Sequence, residues 1–282
     1  MSAAHRYAVL DVFTDTPLEG NALAVFPDAA QVPAAAMQRI ARELNLSETV
    51  FVLPAQAGAE ARVRIFTPAA ELAFAGHPVL GTAILLGGEL EREHVTLETP
   101  AGLVPVALSV GEGRAAYGSM HQPIPSWEAF AQAGELLDAL GVARSGLPVD
   151  AYVNGPRHVY VELDGEDSLV ALAPDMRALT SLGALGVSCF AGAGSRWKTR
   201  VFAPELGVPE DPATGSAAGP LAVHLARHGR IAFGEQIEIR QGAEIGRPSL
   251  LYARAVGSAG ALERVEVAGS AVLIARGELL LG

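Results

Sequence analysis

Apolar and polar residues alternate in short runs rich in Val, Ile, Tyr and Phe along most of the chain. This alternation predicts strands over residues 7–13, 22–26, 49–53, 61–66, 102–110, 158–163 and 236–241. Between them, apolar residues at helical spacing predict helices over 33–44, 78–86, 127–140 and 216–228. The mixture specifies an α+β chain.

The pattern also repeats. RIFTP at 64–68 matches RVFAP at 200–204, HPVLGTA at 77–83 matches DPATGSA at 211–217, and GNALAVF at 20–26 lies more weakly on GPRHVYV at 155–161. The matches keep their order and nearly one spacing, which predicts two similar lobes whose matched turns face each other across a cleft. Pro-rich MHQPIPSW at 120–127 sets the boundary, giving lobes 1–121 and 122–282 with the last strands able to return to the first lobe.

Composition narrows the class. A chain of 282 residues, half of them apolar and 18% charged, can bury two cores and is not disordered. Its formal charge of −11 and the lack of any basic run longer than a pair argue against nucleic acid as a partner. No apolar run approaches the ~18 residues of a membrane helix, and the first residues lack a signal-peptide pattern. The single cysteine, Cys189, cannot form an intramolecular disulfide and suits a reducing compartment, so a cytoplasmic location is expected.

The repeated turns carry the candidate chemistry. In each, a titratable residue (His77 or Asp211) precedes a proline, and a glycine three positions later (Gly81 or Gly215) is expected to open a helix. Helix starts present unpaired N–H groups and partial positive charge, a natural anion site, and Thr82 and Ser216 can add hydroxyl donors. Either turn alone reads as a packing glycine with a simple cap. Their repetition in register favours a site that holds a small carboxylate from both sides. Glu48, in LNLSETVF at 44–51, is a third candidate: beside Val50 and Phe51 its pKa would rise toward that of a general acid/base. A solvated carboxylate at a strand edge fits its position equally well.

The segments DVFTDTPLEGNALAVF, NLSETVF, FTPAAELAFAGHPVLGTA and PEDPATGSAAG together resemble the PhzF-type phenazine-biosynthesis family, whose fold is that of diaminopimelate epimerase and proline racemase. The tail VEVAGSAVLIARGEL is similar to the family's closing hairpin, so the resemblance spans nearly the whole chain. It implies two pseudo-symmetric lobes, each a barrel-like β-sheet around a central helix, a homodimer, and no metal or organic cofactor. It also implies an isomerase in which the SET glutamate moves a proton from C3 to C1 of trans-2,3-dihydro-3-hydroxyanthranilate. Glu48 matches that glutamate, and His77, Asp211 and Ser216 match the residues around the substrate. Amides of Gly76, Gly215 and Ser216 would then bind the substrate carboxylate. Related racemases use one cysteine per lobe, which this chain lacks at both turns. Laying TVF at 49–51 on SCF at 188–190 sets Glu48 opposite Val187, leaving a single base. An epimerase-like enzyme of the same fold with carboxylate bases, and a carboxylate-binding protein without turnover, remain open.

Other signals are weaker. His224 and His228 have metal-ligand spacing but no companion cluster in the sequence, so they read as packing or surface residues. GSAAG at 215–219 does not meet the frame of a nucleophile elbow. Asn154, Arg157 and His158, which the repeat sets opposite GNALAVF, could reach the cleft, but a strand-entry turn with a solvated arginine is the favoured reading, and Arg64 and Arg200 read as partners of structural carboxylates.

Overall fold

The computed structural model describes residues 3–56, 58–110, 115–183 and 186–281. The first half supplies strands β1 (Ala3–Val12), β2 (Asn21–Phe26), β3 (Glu48–Leu53), β4 (Ala61–Phe66), β5 (Glu71–Leu72), β6 (His94–Thr99), β7 (Gly102–Val110) and β8 (Ala115–Gln122). Helices α1 (Ala34–Leu44) and α2 (Gly76–Leu90) are interleaved with them. The second half supplies β9 (Ser126–Ala129), β10 (Asp150–Val153), β11 (Arg157–Glu162), β12 (Gly186–Ala193), β13 (Arg196–Ala203), β14 (Val208–Asp211), β15 (Gln236–Gln241), β16 (Ser249–Ser258) and β17 (Ala261–Leu281). Its helices are α3 (Ala133–Leu140), α4 (Glu166–Val170), α5 (Met176–Ser181) and α6 (Gly215–Arg227).

Strands β1, β2, β3, β4, β6, β7, β8 and β17 pair in that order, and β17 returns to β1, closing a barrel. Strands β9 to β13, then β15, β16 and β17, pair successively into a second curved sheet. One helix threads each sheet. Residues 76–87 of α2 and 215–226 of α6 are all buried, as expected of helices that are apolar on every face.

The repeat is visible in ion pairs as well as strands. Arg64 on β4 forks onto Glu71 of β5 at 2.7 Å and lies over the Phe66 ring, while Arg200 on β13 forks onto Glu210 of β14 at 2.9 and 2.8 Å and lies over Phe202. Both arginines therefore brace the short strand that leads into a central helix.

Several expectations are corrected. Residues 127–129 are strand, not helix: β9 pairs with β10, setting Trp127 beside Tyr152, and the helix begins only at Ala133. Aromatic-rich SWEAF suits a pleated surface better than a helical one. The tail is one long strand, not a hairpin; its turn falls earlier, where Ser258 meets Ala261. Helix α2 starts at Gly76, so Gly81 and Thr82 lie inside it rather than at its start. Gly81 is instead a packing glycine, since a methyl there would stand 2.7 Å from Leu23 and Val12 side chains.

Candidate active site

Because α2 begins five residues earlier relative to the repeat than α6 does, its first turn reaches the start of α6 directly. A methyl group on Gly76 would stand 2.4 Å from the Gly215 carbonyl carbon and 2.5 Å from Ser216 N, so the two helix starts are in backbone contact. Their free N–H groups and dipoles gather positive potential at one point between the lobes. Phe13, buried and held at a left-handed φ of 64°, packs against Gly215 from below the junction. Such backbone strain in a bulky residue persists where the surroundings over-determine it.

The same early start carries His77 into α2, where its Nε2 lies 3.1 Å from Glu48 Oε2 at the head of β3. The two atoms are close without being aligned into a hydrogen bond, and both are buried without another partner. Burial, with the negative charge of Asp211 added, holds the Glu48 carboxyl well above its ordinary range although its side chain is 13% exposed. Burial also pushes His77 down to about 3, keeping the ring neutral. The Asn21 amide nitrogen, which can only donate, lies 3.3 Å from His77 Nδ1, an arrangement that suits the Nε2–H tautomer facing Glu48.

Asn21 joins the third candidate to the group. Its amide donates to Asp211 Oδ1 at 2.8 Å and to the Ala213 carbonyl at 3.0 Å. Asp211 also accepts from Thr214 Oγ1 at 2.6 Å and from Ser47. Burial outweighs these donors and raises Asp211 to about 6. Glu48, His77, Asp211, Gly76, Gly215 and Ser216 are thus brought together. Thr82 is not; its hydroxyl is buried inside α2.

Pattern reading missed Asn21, whose short polar side chain in an apolar strand was its only signal. Gln122 was missed, and Asn154, which the repeat had set near the cleft, was not foreseen as a holder of α6. Pro220 interrupts that helix, so no backbone N–H can bond the Ser216 carbonyl, and Asn154 Nδ2 donates to it at 3.1 Å instead. Gln122 Nε2 donates to the Gly215 carbonyl at 2.8 Å. Of the supposed strand-entry turn, Asn154 and His158 reach the site, while Arg157 pairs with exposed Glu128.

Strand register also corrects the comparison of the lobes. Thr49 pairs with Phe66 and Val187 with Phe202, and Leu23 pairs with Glu48 where His158 pairs with Gly186. The counterpart of Glu48 is therefore Gly186, one residue before Val187. A single lobe carries the carboxylate.

The fold agrees with comparisons to known proteins. The family model described as phenazine biosynthesis-like protein matches residues 10–277. The chain belongs to this family. A trans-2,3-dihydro-3-hydroxyanthranilate isomerase from Pseudomonas fluorescens is 54% identical to this PhzF-like chain over 277 residues, covering 98% of it and 100% of the relative. The crystal structure of a PhzF-family phenazine biosynthesis protein from Bacillus anthracis superposes with a TM-score of 0.85 at 26% identity, covering 99% and 100% of the two chains. A hydroxyproline epimerase from Agrobacterium vitis, at 16% identity, a TM-score of 0.67 and coverage of 99% and 91%, shares the fold. Among the described residues of the PhzF-like chain, no helix is long and apolar enough to cross a membrane.

Proposed function

We propose that this protein is an isomerase acting on trans-2,3-dihydro-3-hydroxyanthranilate or a closely related small carboxylate, with Glu48 as the one group that takes up and redelivers the proton. The observation that carries this reading is the Glu48 carboxyl itself: raised in pKa, its Oε2 buried without a hydrogen-bond partner and 3.1 Å from Nε2 of the neutral His77 ring, beside two converging helix starts.

Amides at Gly76, Gly215 and Ser216 receive the substrate carboxylate, which turns its ring toward Glu48. Ionised Glu48 breaks the C3–H bond, and the electron pair shifts through the conjugated system. The protonated carboxyl then forms the C1–H bond, so the product is an isomer, with the C3 enol free to become a ketone. A carboxyl raised toward working pH suits both halves of this cycle. His77, as its Nε2–H tautomer, is placed to donate to Glu48 once the carboxylate turns toward it, steadying the anionic form, and the charge of Asp211 tunes when that proton leaves. With Gly186 in the matching place, transfer from one base on one face is favoured over inversion by two.

Proton NMR in D₂O with this substrate tests the reading. Wild type converts it, with deuterium at C1 only to the extent that the Glu48 proton exchanges with solvent before redelivery. Glu48→Gln, which keeps the shape and loses the titratable oxygen, is expected to turn over about 10²- to 10⁴-fold more slowly while binding within about tenfold of wild type. Undiminished conversion by the variant would remove Glu48 from the mechanism.

A further inference from the structure

Ser216 lies at the second position of α6 and is 5% exposed, and its Oγ sits 3.0 Å from His158 Nε2. His158 is 4% exposed and reaches it from β11. The ring has room because its strand neighbour is glycine: a methyl at Gly186 would stand 2.4 Å from His158 Nδ1. The lobes thus divide one place between two uses. The first puts Leu23 beside Glu48, and the second puts His158 beside Gly186.

His158 Nδ1 is buried and without a hydrogen-bond partner. Burial lowers the ring to about 4, so it is neutral and carries one proton. If that proton were on Nδ1, a buried N–H would point at no acceptor, and Ser216 would have to give its own hydrogen to Nε2. If it is on Nε2, only a lone pair is left bare, which proteins tolerate better than an orphaned N–H. Ser216 Oγ then accepts from the ring and its hydrogen is free for the cleft.

We infer that His158 is a positioning residue that, as the Nε2–H tautomer, turns the Ser216 hydroxyl into a donor to the substrate carboxylate. This rests on the reading of the helix starts as the carboxylate site, and it adds a directional donor to amides that are fixed by the backbone. The imidazole does not touch the substrate. It acts through Ser216 alone.

The test has a spectroscopic and a kinetic part. Long-range ¹H–¹⁵N spectra of the histidine rings, with His158 assigned by its loss in His158→Leu, are expected to show a protonated Nε2 and a bare Nδ1. An Nδ1–H tautomer overturns the inference, whether or not wild type turns over the substrate, so the inference and the isomerase reading fail separately. Kinetically, His158→Leu is expected to raise KM roughly ten- to a hundredfold, the effect of losing a hydrogen bond to a charged group, with kcat changed less. His158→Gln, which can present an N–H at the ε position, is expected to recover most of that loss. In a Ser216→Ala background, His158→Leu is expected to add under about threefold. A full additional loss there, or a fall in kcat with KM unmoved, counts against positioning through Ser216.

Discussion

Gly76→Ala tests the contact on which the site is built. The added methyl would be 2.4 Å from the Gly215 carbonyl carbon, against about 3.5 Å for ordinary carbon contact. Both neighbours are backbone, so no side chain can swing aside, and the helix starts must separate by about 1 Å. Overpacking of this kind costs about 1–3 kcal/mol, which a domain stable by about 5–15 kcal/mol survives. A 1 Å displacement of positioning groups is worth about 10²-fold in rate. The variant should therefore melt a few degrees lower, remain folded, and lose about a hundredfold in kcat/KM in the NMR turnover assay. Gly88→Ala, on the same helix with open space around it, should leave turnover unchanged. A folded Gly76→Ala protein within about threefold of wild type would show that the abutting helix starts do not hold the substrate.

Asp211 links stability to pH. Its carboxyl is raised from 3.8 to about 6 on folding, so the folded protein holds a proton that the unfolded chain has already released, and stability falls as pH rises through that window. The loss is at most about 3 kcal/mol, and less for a partly exposed group. Asp211→Asn should flatten this slope in urea melts between pH 4 and 7, and an unchanged slope would refute the raised carboxyl. The two matched arginines should differ sharply. Arg200→Met strips 10%-exposed Glu210 of its partner and frees the Leu169 and Leu172 carbonyls, costing about 3–5 kcal/mol, whereas Arg64→Met loses a pair 29% and 37% exposed, worth under about 1 kcal/mol in urea melts. Cys189, fully buried on β12 with its thiol pushed up by burial, should resist thiol reagents until the protein unfolds; rapid labelling of the native protein would contradict its placement.

The repeat was the most legible feature of the sequence, because RIFTP/RVFAP and HPVLGTA/DPATGSA sit where strand, brace and helix recur. Helix α6 was legible to within a residue at either end. What pattern could not supply was offset. Sequence equates Gly81 with Gly215, but space pairs Gly76 with Gly215, because α2 winds one further turn at its start and so carries His77 to Glu48. The Val187 and Gly186 discrepancy is of the same kind, since register is set by pairing across strands rather than along one. Asn21 escaped for another reason, being a lone polar residue whose role is fixed by a partner more than 50 positions away, and for the same reason His158 could be set near the cleft by the repeat but not matched to Ser216. The metal-like spacing of His224 and His228 acquires a companion in Asp150, but Arg227 donates to the same carboxylate oxygen at 3.1 Å, so a cation already occupies that charge.

The closure of the first barrel joins opposite ends of the chain, with Ala3 opposite Leu281 and Val12 opposite Ala271. On a ribosome adding about 5–20 residues per second, the 282-residue chain takes roughly 15–55 s to make. For nearly all of that time β1 has β2 along one edge and nothing along the other, and β8 likewise waits for its partner. Most residues of the first lobe have left the ribosome long before the strand that seals it, so a nascent chain must keep two unpaired edges from meeting those of its neighbours.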